Sequence, residues 1–250
     1  HGSLGQFLQA TNRKDAAVQH LLEAARIRPD HPQTYSNLGL IYEGEGKYQE
    51  AEAAYRKSRD LAPNHPIPHL NLGSFYLAQH RPREAEAEYR RVLELDPMSA
   101  DGYYNLGLIY GGDGRGEQAV EFYKRAAEIA PNEPDIRRNL ALLFTQLGRH
   151  AEAAEQYQQW LRLEPRAAVA HNNLANALVR INRAQDAVEH YQQAIALDPK
   201  YVEAMINLGT VQSNLGNRAG AQQAWEAALR AEPGNAAAAR QLKDLLGGLP

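Results

Sequence analysis

The sequence predicts an all-α protein built as a linear array of one repeated helical hairpin. Three observations carry this. Prolines recur every 34 residues, from Pro29 through Pro63, Pro97, Pro131, Pro165 and Pro199 to Pro233. Leucine recurs at Leu38, Leu72, Leu106, Leu140, Leu174 and Leu208, each followed by glycine or alanine. A residue suited to a left-handed turn recurs midway, as Gly46, Gly114, Gly148, Asn182 and Gly216, with His80 in the remaining unit. A strict internal period decides architecture before any local propensity does.

Within 32–65, Tyr35, Leu38, Gly39 and Tyr42 share one helical face and predict a first helix. Gly46 is its stop, because glycine reaches the left-handed C-cap conformation at little cost. Ala51, Tyr55 and Ser58 resume the helical spacing, and Leu61-Ala62-Pro63 ends a second, antiparallel helix. The same reading gives six full units, 32–65, 66–99, 100–133, 134–167, 168–201 and 202–235. The small residue after each leucine is expected to lie opposite the series Ala51, Ala85, Ala119, Ala153, Ala187 and Ala221. Large rings follow at Tyr55, Tyr89, Tyr123, Tyr157, Tyr191 and Trp225. His80 is expected to strain its turn.

At the N-terminal end, 4–31 reads as a partial unit, with Leu4-Gly5, Leu8, Ala17, Leu21, Ala24 and Pro29 in register. His1-Gly2-Ser3 reads as a tag remnant. At the other end, 236–250 reads as a capping helix and tail. Leu242 and Leu246 are expected to face inward, while Arg240, Lys243 and Asp244 face water.

These residues resemble the tetratricopeptide repeat (TPR) family, whose motif carries an aromatic, Leu-Gly, Tyr, Ala, aromatic, Ala and Pro at these places. The resemblance implies a right-handed superhelical solenoid. Its first helices line a concave groove that takes extended peptides or helices, and places two, five, six, nine, twelve and thirteen of each unit face the ligand. The sixth place is asparagine throughout: Asn37, Asn71, Asn105, Asn139, Asn173 and Asn207. An amide offers a donor and an acceptor, which suits an extended peptide backbone. The series is similar to the asparagine ladder of the O-linked N-acetylglucosamine transferase superhelix. The same amides could instead satisfy local backbone groups. Asn172 and Asn176, one turn apart with no hydrophobic role, are the sharper candidates.

The lining is expected to be apolar in the first three units, at Leu40, Ile67, Leu70, Leu77, Tyr104 and Leu108, and Tyr104 is the best single candidate there. In the last three it is expected to be polar, at Asp135, Arg138, Asn172, Asn176, Arg180, Glu203 and Asn214. Chaperone-binding TPR proteins carry a basic fifth place with asparagine at the ninth. Here only Arg138 is basic at the fifth place, and its companion is Leu142, so no chaperone carboxylate clamp is expected.

Other chemistry finds little support. Net charge is −3 from 27 basic and 30 acidic residues, which gives no electrostatic case for nucleic acid. No apolar run reaches the roughly 18 residues of a membrane span, so no direct membrane insertion is expected. The absence of cysteine excludes disulfides and suits either a cytoplasm or a bacterial periplasm. Gly111-Gly112-Asp113-Gly114-Arg115-Gly116 lacks the Lys-Ser/Thr of a phosphate loop and reads as a turn. His65 and His69 are interrupted by prolines and do not form a metal pair; no metal, cofactor or catalytic residue is expected. Trp160 is expected to pack rather than contact ligand. The leading reading is a non-enzymatic scaffold for a protein or peptide partner. Two other functions fit the same residues: the recognition portion of a larger enzyme such as a glycosyltransferase, or a self-associating envelope or secretion assembly factor.

Overall fold

The computed structural model describes residues 14–247. His1–Ser3 and the places Leu4-Gly5 and Leu8 of the partial unit lie outside the described residues. The described residues form fourteen α-helices. The chain divides into two compact parts, with the boundary between Ile129 and Ala130. The first contains α1 (Lys14–Ile27), then the pairs α2 (Pro32–Gly44) and α3 (Tyr48–Leu61), α4 (Pro66–Ala78) and α5 (Pro82–Leu95), and α6 (Ala100–Gly112) and α7 (Gly116–Ile129). The second contains α8 (Pro134–Gln146) and α9 (His150–Leu163), α10 (Ala168–Arg180) and α11 (Ala184–Leu197), α12 (Val202–Asn214) and α13 (Arg218–Ala231), then α14 (Ala236–Gly247). The helices of each pair are antiparallel. Inside each part, a second helix also packs on the first helix of the following pair.

Local chemistry sets the helix ends. Pro32, Pro66 and Pro134 occupy the first turn, where a missing N–H costs nothing. Ser99 accepts from the Gly102 N–H at 3.2 Å, and Asn217 from the Gly220 N–H at 3.0 Å, each satisfying a donor that the helix itself cannot. The hairpin turns close with a left-handed residue, at φ +72° for Gly46 and +56° for His80. The bonding is the same in both: His80 N–H donates to Leu77 O at 3.0 Å, and Arg81 N–H to Tyr76 O at 2.9 Å. A side chain in this region is crowded against the backbone, as expected for His80. His80→Gly should therefore raise stability by about 1 kcal/mol in urea denaturation. No gain would show that the imidazole stabilises the turn in some other way.

The core repeats with the sequence. The rings of Tyr55, Tyr89, Tyr157, Tyr191 and Trp225 are almost fully buried, beside a completely buried alanine in each unit. Burial raises the Tyr89 hydroxyl to a pKa of about 12. The structure corrects one packing expectation: the small residue after the leucine faces the ring, not the alanine. A Cβ at Gly107 would lie 2.7 Å from Tyr123, and one at Gly209 would lie 2.4 Å from the Trp225 indole nitrogen. It is Gly111 that approaches Ala119. Ala141 and Ala175 occupy the small place in two units while Tyr157 and Tyr191 stay buried, so a tyrosine can accommodate one methyl.

Trp160 is buried, with its indole N–H donating to Glu164 at 2.7 Å, in keeping with a packing role. The end helix α14 buries Ala238 completely, but Leu246 is exposed and not directed inward as expected. Leu242 is half-buried, so the cap is held most firmly at Ala238 and partly further along.

Candidate functional site

Places four and twenty-three of a unit face each other across the hairpin. His69 bonds Glu88 at 2.6 Å, and Arg137 bonds Gln156 at 3.1 Å. Burial alone would raise the Glu88 carboxyl, but bonds from His69 and Arg59 outweigh it and hold the group below its usual range. In the fifth unit, His171 and His190 bring their Nδ1 atoms to 3.1 Å. Burial and the neighbouring His171 both lower His190. These pairs hold hairpins together. No group of three metal-ligating side chains occurs among the described residues.

The ladder asparagines are all half-buried. Two of them, Asn71 and Asn207, donate to a polar residue at the fifth place of the preceding unit. Asn71 Nδ2 reaches Ser36 Oγ at 3.3 Å; Ser36 continues to Ser58 at 2.8 Å, and Ser58 donates to Pro32 O at 2.8 Å. Where that place is Leu70, Asn105 Nδ2 turns back to Asp101 O at 2.8 Å in its own helix. Asn37 accepts from Gln33 at 3.0 Å, and Asn173 Oδ1 lies 3.5 Å from Asn172 Nδ2. Asn139 is also engaged. Much of the ladder's donor capacity is therefore used inside the fold.

Asn172 needs a larger correction. It does not line a groove: it is completely buried. Its Oδ1 accepts from Asn207 Nδ2 at 3.3 Å, and its Nδ2 donates to Glu203 Oε1 at 3.1 Å. It locks α10 to α12. Sequence pattern suggested exposure because an amide has no apolar surface to hide, whereas the interior here supplies it with partners.

Asn176 is half-buried and differently placed. Its Oδ1 accepts from the Tyr191 hydroxyl at 2.5 Å and from Asn207 Nδ2 at 3.2 Å. Its Nδ2 has no partner among the described residues. Asn207 Nδ2 is doubly occupied, at Asn172 and Asn176, so Asn207 Oδ1 is left as an acceptor. Two amides side by side thus present a pair of donors and an acceptor, each with its orientation set by the network. Tyr191 was legible only as a core ring; nothing in its spacing revealed that its hydroxyl orients Asn176.

These amides border a concavity of about 430 Å³ on the first-helix side of the second part. Thr145 and His150 lie along it from α8 and α9, with Arg180, Thr210 and Asn214 from α10 and α12. A cleft of about 630 Å³ between α11, α12 and α13 is larger, but no charged side chain among the described residues lines it.

The other candidates are partly engaged. Arg138 pairs with Asp135 at 2.7 Å and lies 6.0 Å from the Trp160 ring. Tyr104 packs 5.8 Å from the Tyr123 ring. Leu70 is half-buried, while Leu40 and Leu108 are exposed. Leu142, in the fourth unit, is exposed as well.

Family models described as tetratricopeptide repeat match residues 70–134, 130–168 and 138–202, with others matching 1–64, 30–98 and 178–246. The chain belongs to the TPR family. No curated protein matches it by sequence. Among solved structures it is similar to YrrB, described as a TPR protein with an unusual peptide-binding site. That likeness has 21% identity and a TM-score of 0.71, over 76% of this chain and 98% of that one. It is similar to MamA at 24% identity and a TM-score of 0.61, over 68% and 92%. The C-terminal part of a TPR repeat-containing protein from Cytophaga hutchinsonii gives a TM-score of 0.79 at 17% identity, over 97% and 100%. These likenesses show the fold alone. No described helix is long and apolar enough to cross a membrane.

Proposed function

We propose that this TPR chain is a non-enzymatic scaffold whose first-helix face binds an extended peptide of a protein partner. The observation that carries this reading is the Asn176–Asn207 pair. Its oriented donors and acceptor stand beside a concavity of about 430 Å³, and together they offer what the C=O and N–H of a peptide unit need. An amide already oriented loses little freedom on binding, which favours affinity. In this role Asn207 and Asn176 contact the peptide, while Asn172 and Tyr191 position them. The wider comparison with the O-linked N-acetylglucosamine transferase ladder belongs to the same proposal: Asn37, Asn71, Asn105, Asn139 and Asn173 contribute where an amide atom remains outward. Leu40, Leu70, Tyr104 and Leu108 supply apolar contacts in the first part.

A peptide selected on the chain from a random dodecapeptide library tests this by fluorescence anisotropy. Asn176→Asp keeps the acceptor for Tyr191 and Asn207 but removes both outward donors. Affinity is expected to fall about tenfold or more, with the thermal midpoint little changed. Equal binding by the variant and the parent chain would place the peptide elsewhere.

A further inference from the structure

The concavity beside Asn176 and Asn207 has one-sided electrostatics. In a chain of net charge −3 with 30 acidic residues, no carboxylate among the described residues lines it, and its ionisable lining is Arg180, His150 and the buried phenol of Tyr191. Burial raises the Tyr191 hydroxyl, which keeps it neutral and in use as the donor to Asn176.

Arg180 differs from most arginines here. Arg59, Arg81, Arg90, Arg115 and Arg138 each pair with a carboxylate of the fold. The Arg180 guanidinium makes no ion pair and no side-chain hydrogen bond among the described residues, and it sits exposed at the end of α10. Its five donors are free, in a planar fork that matches a carboxylate. Thr210 completes the polar wall: its hydroxyl donates to Ile206 O at 3.0 Å, leaving oxygen lone pairs but no proton toward the space. Asn214, one turn beyond Thr210 on α12, adds a further amide.

Building on the peptide reading above, we infer that this concavity is a pocket for an acidic side chain of the bound peptide, anchored by the Arg180 guanidinium and flanked by His150. The peptide backbone runs over Asn176 and Asn207, and one aspartate or glutamate of the ligand turns toward Arg180, one helical turn beyond Asn176. Arg180 is then the specificity-determining residue, because the amides read any backbone alike. A side-chain carboxylate is the source, since the adjoining amide pair is suited to chain passing through rather than ending.

Two selections from one random dodecapeptide library displayed on phage test the pocket. Each peptide is joined to the coat protein at its C-terminal end and so carries no free terminal carboxylate there. One selection uses the full chain and the other its Arg180→Glu variant, which should melt with the parent because Arg180 is exposed and unpaired. The full chain is expected to enrich Asp or Glu at one fixed place of the retained peptides. The variant is expected to lose that preference or replace it with Lys or Arg. A synthetic acidic peptide from the first selection should bind Arg180→Gln about tenfold more weakly. Peptides retained without acidic enrichment, or with enrichment unchanged on Arg180→Glu, would overturn the pocket and leave peptide binding by the amide pair standing. Retention of no peptide by either chain would overturn both.

Discussion

Trp225→Ala is expected to destabilise the second part of the chain by about 3–5 kcal/mol, the range for truncating a buried aromatic. The indole is 2% exposed, lies directly on the Gly209 backbone, and donates its N–H to Ile206 O at 3.2 Å. Removing it leaves a cavity under α12, while Ile206 O keeps its bond from the Thr210 hydroxyl. A repeat array propagates such a loss chiefly to its neighbours. Hydrogen exchange should therefore accelerate first in α12–α14 and last in α8. Gly209→Ala tests the same contact from the other side. A methyl there must displace a rigid indole that is hydrogen-bonded in place, and about 1–3 kcal/mol is expected. Urea denaturation reads both variants. A loss below about 1 kcal/mol for Trp225→Ala would mean that the ring is not the core element its burial indicates.

Asn172→Asp is nearly isosteric, and it is expected to cost more than Asn172→Ala. The alanine variant strands two hydrogen-bonding partners and should cost about 1–3 kcal/mol. The aspartate variant keeps the acceptor for Asn207 but puts a buried carboxylate against Glu203, where a donor stood at 3.1 Å. About 3 kcal/mol or more is expected at neutral pH. The sign with pH is defined. Burial raises the new carboxyl in the folded state above its unfolded value of about 4. The penalty is therefore full above the folded pKa and eases as pH falls from there toward the unfolded value. A pH-independent loss would remove the electrostatic account. Both variants should also weaken peptide binding, because Asn207 loses the partner that orients it.

The fold was legible almost throughout. Helix pairs follow from Leu38, Tyr55 and their equivalents at helical spacing, and the turns from residues able to adopt positive φ; even the exception at His80 carries φ +56°. Two packing details were not. Gly39 and its equivalents read as partners of the alanine series, yet they face the tyrosine or tryptophan ring, because contact across a hairpin depends on helix rotation that spacing leaves undefined. Leu246 read as inward and is exposed.

The candidate site was legible in composition rather than role. Asn172 and Asn176 are identical in residue type and one turn apart on α10, so sequence alone ranks them together. One is sealed between α10 and α12, while the other is bound through its oxygen and open through its nitrogen. The difference arises in residues 15 to 35 places away, Tyr191, Glu203 and Asn207, which reach these amides only when the helix pairs stack. The 34-residue period by itself determined helix order, hairpin turns, core face and family, because each is a local property copied along the chain. Tertiary structure alone decided which amide atoms face outward and that Arg180 stands unpaired, because hydrogen-bond assignment depends on the neighbours that packing delivers.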